Sequence, residues 1–115
     1  MKIVIEALDN GWQALSEHDN VEDAEKMMDV VQGENPDAYI RMVKHVPRFY
    51  AEYQKPIECS GGTRTYTHIV YVAEYPPERS IKACKANFRA KVRTLPEFND
   101  PTFKIRHEYV CPERG

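Results

Sequence analysis

The chain has 115 residues, 42% of them hydrophobic and 30% charged, with a formal net charge of -2. That length supports one domain around one core, because two cores of half the size would each be too small to hold without staples, and the composition excludes a disordered chain. No apolar run approaches the ~20 residues that span a bilayer, and the opening Met1-Lys2-Ile3-Val4-Ile5-Glu6 meets a glutamate too soon for a signal peptide, so a cytoplasmic location without membrane contact is expected.

Cys59, Cys84 and Cys111 cannot all pair within one chain and form no C-x-x-C spacing, which fits reduced thiols. Charge is unevenly spread. Residues 1–58 carry twelve acids and six bases, and residues 59–115 six acids and ten bases. Such polarity steers a charged partner or favours head-to-tail self-association, so a homodimer is one expected state.

Residues 2–8 are rich in β-branched side chains, Asn10-Gly11 tolerates the positive φ of a tight hairpin turn, and Trp12 to Glu17 return as a partner strand. Asp19 or Asn20 then caps a helix, answered by Glu22 or Asp23. Its apolar residues Val21, Ala24, Met28 and Val31 recur at helical spacing, its outer face is acidic, and Gly33 is a natural stop. Ala38 to Val46 alternate as a strand that Pro47 ends. From Pro47 to Gly62 a connection of some sixteen residues is expected, longer than the usual ~4–6 and so of the kind that carries function. Phe49, Tyr50 and Tyr53 lie in it. They form either a contact patch or, along one side of a helical turn, a plug at the core edge.

Thr63 to Tyr75 form the best strand in the sequence, and Pro76-Pro77-Glu78 end it and open a helix to about Leu95. Ile81, Cys84, Phe88, Val92 and Leu95 make its apolar stripe, with Lys82, Lys85, Arg89 and Arg93 on a neighbouring face. After Asn99-Asp100-Pro101 comes a last strand, Phe103 to Cys111. The order is a hairpin, then α, β, β, α, β. It predicts an α+β fold of ferredoxin-like split βαβ type (βαββαβ) with an extra N-terminal hairpin strand, a mostly antiparallel sheet covered by two helices. The rival is two βαβ-like halves side by side, since strand, helix, strand nearly repeats.

Catalytic patterns are weak. Cys59, His68, Cys84, His107 and Cys111 are zinc-compatible types, but their spacing and the place of Cys84 in an apolar stripe argue against a metal site. Cys59-Ser-Gly-Gly-Thr-Arg64 has four residues between cysteine and arginine, where a cysteine-phosphatase loop needs five, and a strand follows where that loop needs a helix. The four histidines are scattered one to an element, with no carboxylate pair beside them. No cofactor is expected, and a binding module is favoured over an enzyme.

Arg64-Thr-Tyr66-Thr-His68-Ile69-Val70-Tyr71 resembles the third strand of RNA-recognition-motif domains, in which a basic residue precedes alternating aromatics that stack on bases. Threonine stands at both small-residue positions, His68 at one aromatic position, and the first strand lacks the partner aromatic. The resemblance implies single-stranded nucleic-acid binding through Arg64, Tyr66 and His68, with Lys82, Lys85, Arg89 and Arg93 adding phosphate contacts from a helix expected on the opposite sheet face.

Over residues 1–46, Trp12-Gln-Ala-Leu15, Val21-Glu-Asp-Ala24-Glu25 and Ile40-Arg41-Met42-Val43 resemble small accessory proteins of phages and prophages, many of which have no known role, while those with a role commonly bind and inhibit a host protein, as anti-CRISPR and transcription-inhibitor proteins do. This resemblance implies a host-protein partner, for which Phe49, Tyr50 and Tyr53 are the candidate contacts. It leads as the functional expectation, with single-stranded nucleic-acid binding as the alternative.

Overall fold

The computed structural model describes residues 1–112. Its elements are β1 Lys2–Leu8, β2 Trp12–His18, α1 Val21–Glu34, β3 Ile40–Cys59, β4 Gly62–Glu74, α2 Ile81–Val92, a 3-10 turn Pro96–Asn99, and β5 Lys104–Val110. Strands follow the order β2-β1-β3-β4, and β5 also pairs with β3. The α+β class and the antiparallel pairing are as expected; the ferredoxin-like strand order is not. The reason is the stretch read as a connection, which is strand from Pro47 to Cys59, closed by a turn at Ser60 and Gly61, and gives each helix a hairpin of its own.

β3 runs through both prolines without a break. Pro47 lies between the last β1 partner, His45, and the first β4 partner, Arg48, and its carbonyl still accepts from the Tyr75 amide at 3.0 Å, so the missing N–H removes only half of one pair. Pro56 faces Thr65. Counting back from the closing pair Cys59–Gly62, where Gly62 has φ 114°, alternate pairs exchange hydrogen bonds, and Pro56–Thr65 falls on a non-bonded pair. Proline there costs no ladder bond to β4.

The chain forms two compact units. Among the described residues the first holds 1–46, 76–79 and 109–112; the second holds 47–75 and 80–108. Each contains a hairpin, a helix and a returning strand that pairs with the first strand of its hairpin. In the first these are β1, β2, α1 and the start of β3; in the second, the rest of β3, β4, α2 and β5. The near-repeat in the sequence is this ββαβ pattern used twice, with β3 serving in both.

In the first unit Asn10 and Gly11 take φ 55° and 114° in the hairpin turn. Asn20 caps α1 by accepting from the Asp23 amide at 2.9 Å, and its amide group returns a bond to the Asp23 carboxylate at 3.0 Å. α1 continues past Gly33 to Glu34. Ile3, Ile5 and Ala24 form the buried centre, with Met27, Met28, Ile40 and Met42 packed around it.

The second unit is built on Phe49, Ala51, Tyr75, Cys84, Phe88 and Val92. α2 starts later than its prolines suggested: Arg79 N–H bonds back to the Pro76 carbonyl at 3.1 Å in a turn, and Ser80 caps the helix through the Ala83 amide at 3.2 Å. It also ends earlier, at Val92, and Leu95 leads into the 3-10 turn. Phe103, just before β5, and Ile105 on it reach the core, and His107 stacks on Phe49 with ring centroids 5.0 Å apart.

Candidate nucleic-acid interface

β3 places alternate residues of the second unit on opposite sheet faces. Phe49 and Ala51 face α2, where the Phe49 and Phe88 centroids are 5.6 Å apart. Tyr53, Lys55 and Ile57 continue that face toward the end of the hairpin, and their partners on β4 are His68, Tyr66 and Arg64. A bulge makes this possible. Ala51 faces Tyr71 but Glu52 faces Ile69, so Val70 is the extra residue, and the side-chain phase of β4 shifts by one. Through that shift Tyr71, packed on Phe88 at 5.6 Å, shares a face with His68, Tyr66 and Arg64.

The expectation that α2 lies on the opposite face from the aromatic strand positions is therefore corrected: the helix and these residues share one face. α2 covers its proximal part, and Arg64, Tyr66 and His68 are exposed. Tyr66 is 48% exposed, and the half-buried Tyr53 ring meets His68 edge-on at 5.5 Å. Two tyrosines, an imidazole and two cations, Lys55 and Arg64, thus lie on two adjacent strands.

α2 adds the cationic side chains. Lys82, Lys85, Arg89 and Arg93 are exposed, and among the described residues none of them has an ion pair. Lys85 and Arg89 line a cleft of about 340 Å³ together with Phe98, Phe103, Lys104 and Ile105. Sequence reasoning found the two helix residues but missed the aromatic wall. Its signal was the pair Phe98 and Phe103 flanking the turn Asn99-Asp100-Pro101.

The other face carries an ordered charge ladder. Glu52, 3% exposed, accepts from Arg106 Nε at 2.9 Å and lies 3.4 Å from Lys104 Nζ. Burial opposes its ionisation, but the hydrogen bonds and charges of Arg106 and Lys104 outweigh that and hold its carboxyl below the usual carboxylate range. The Arg106 guanidinium lies 4.0 Å from the Tyr50 ring centroid. Tyr50 donates to Glu108 at 2.5 Å, and Arg48 bonds Glu74 at 3.0 Å.

The triad expected on a loop is divided by this arrangement. Phe49 is fully enclosed in the core, Tyr50 is buried in the charge ladder of the opposite face, and Tyr53 alone borders the open surface. A strand cannot turn all three to one side, which the loop reading required.

In the first unit Trp12 and Arg41 meet, the guanidinium 4.0 Å from the ring centroid, while Arg41 Nε donates to Glu6 at 2.7 Å. Among the described residues no group of three or more His, Cys, Asp or Glu gathers to hold a metal ion. Cys59 is exposed at the hairpin end and Cys84 is buried in the core. No helix of the described residues is long and apolar enough to cross a membrane. Comparison with family models, with curated proteins and with solved structures found no match.

Proposed function

We propose that the protein is a binding module for single-stranded nucleic acid, which it takes on the α2-bearing face of the second unit. The observation that carries this reading is the bulge at Val70, which brings Tyr66, His68 and Arg64 onto the face of Tyr53 and Lys55, outside the cover of α2. Exposed rings on neighbouring strands give bases a stacking surface at about 1–3 kcal/mol per base, and flanking cations follow the phosphates. Charge supports the same unit: it holds ten basic and six acidic residues, against five and eleven among the described residues of the first unit. The test is binding of fluorescent oligothymidylate across a salt series. Affinity that falls steeply with salt, and that Tyr66→Ala weakens about tenfold or more, is the expected result; affinity flat in salt or untouched by Tyr66→Ala rejects the reading.

A protein partner is the second reading, favoured by Ile69 and Val72, which are 44% and 46% exposed on the charge-ladder face opposite Glu52 and Tyr50. An inhibitor or adaptor of a host macromolecule would use that face, and its capture of one defined protein from a lysate would survive nuclease.

A further inference from the structure

We infer that the cleft between α2 and β5 is a separate site for a nucleoside monophosphate group, with the phosphate on Lys85 and Arg89 and the base against Phe98 and Phe103. This goes beyond the strand-binding surface and does not depend on it, because none of the cleft residues lies on β3 or β4.

Three observations carry it. Lys85 and Arg89 are one helical turn apart, which puts both on one side of α2, and neither has an ion pair among the described residues. The third cation of the cleft, Lys104, is already paired with Glu52 at 3.4 Å. The cleft therefore presents two uncompensated positive charges. A phosphomonoester carries about 1.5–2 negative charges near neutral pH and three acceptor oxygens, whereas an internal phosphodiester carries one. Lysine and arginine are both suited to such a group, the first as a point charge and the second as a planar fork.

The opposite wall is apolar. Phe98 and Phe103 are tilted at 60° with centroids 5.2 Å apart, both half-buried and packed against the core, so their rings are fixed before any ligand arrives. A volume of about 340 Å³ lies at the small end of ligand-pocket sizes, enough for one nucleotide and not for several. The same group has two sources, a free mononucleotide and the 5′-phosphorylated end of a strand.

Calorimetric titration of the intact chain with AMP, adenosine and inorganic phosphate tests the site. The expected result is AMP bound about tenfold or more tighter than either fragment. Lys85→Gln with Arg89→Gln should lose about tenfold or more while melting at the wild-type temperature, and Lys91→Gln, exposed on α2 but outside the cleft, should change affinity less than about threefold. AMP bound no better than adenosine or phosphate, or bound equally by the double variant, overturns the inference. If the double variant melts early, Arg89→Gln alone is held to the same criterion. Oligothymidylates with 5′-phosphate and 5′-hydroxyl ends then separate the sources: preference for the phosphorylated end assigns a strand terminus, and equal binding assigns the free nucleotide. Tyr66→Ala should leave AMP affinity unchanged, so failure of the strand-binding surface and failure of the cleft are read separately.

Discussion

The Glu52 carboxylate and the Arg106 guanidinium meet at 2.9 Å across β3 and β5, with the Glu52 side chain 4% exposed and that of Arg106 43% exposed. The pair is asymmetric: Arg106 finds water if its partner is lost, and Glu52 does not. Removing the acid should therefore cost less than removing the cations. We expect Glu52→Gln to lower stability by about 1–2 kcal/mol and Arg106→Ala by more, since it leaves a buried acceptor short of a partner and uncovers the Tyr50 ring. Urea unfolding of the two variants checks the order.

The same pair sets an acid limit. The folded protein keeps the Glu52 carboxyl below its ordinary value of 4.5, so its contribution is complete above that value and is lost as pH falls through the lower folded pKa. Thermal melts of the wild type should drop in temperature below about pH 4.5, and Glu52→Gln should show a shallower decline. Parallel curves would assign the acid sensitivity elsewhere.

Phe49 should dominate the energetics of the second unit. Its ring is enclosed by Tyr75, Phe88 and His107, with centroids 5.6, 5.6 and 5.0 Å away, and Phe49→Ala leaves a cavity that costs about 3–5 kcal/mol. Tyr53→Ala, at the border of the open surface, should cost less than about 1 kcal/mol and weaken oligonucleotide binding instead. Urea titration separates the two residues that a loop would have made equivalent.

The sequence was legible where its signals were local. Asn10-Gly11, the Asn20 cap with Asp23, the strand from Thr63 and the apolar stripe of α2 each lie within a few residues of what they specify. What escaped was decided by distant partners. Pro47 read as a strand breaker because nothing local shows which edge of β3 its missing N–H faces. The alternation Phe49, Ala51, Tyr53 was the contrary signal. The bulge at Val70 left no local mark, since it arises from the pairing of β3 with β4, and without it His68, Tyr66 and Arg64 would fall on the wrong face for their part in the site. The cleft joins α2 to residues that follow it in a turn and a strand, a closure that only the packed unit defines.

Trp12 is the single tryptophan of the chain and lies under Arg41 at 4.0 Å, so its fluorescence reports one contact. Arg41→Ala removes the cation over the ring and leaves Glu6 without its 2.7 Å partner. We expect a loss of about 1–2 kcal/mol and a shifted Trp12 emission maximum in the folded state. Unchanged emission would mean that the guanidinium does not rest on the indole in solution.

Cys59 supplies a reporter for the proposed strand-binding face. It closes the β3–β4 hairpin opposite Gly62 and continues the row of Tyr53, Lys55 and Ile57; it is exposed, whereas Cys84 is buried and Cys111 is half-buried. Thiol reactivity follows access to the thiolate, so in the native protein Cys59 should be modified first, Cys111 more slowly, and Cys84 only on unfolding. With Cys111→Ser in place, a fluorophore on Cys59 sits one turn of the pleat from Arg64 and Ile57. Oligothymidylate should change its emission in the wild-type background and not in Tyr66→Ala. Equal changes in both would place the bound strand somewhere other than the tyrosine face, and a second label on α2 just outside the cleft, on Lys82→Cys with Cys59→Ser, would then show whether Lys85 and Arg89 hold it instead.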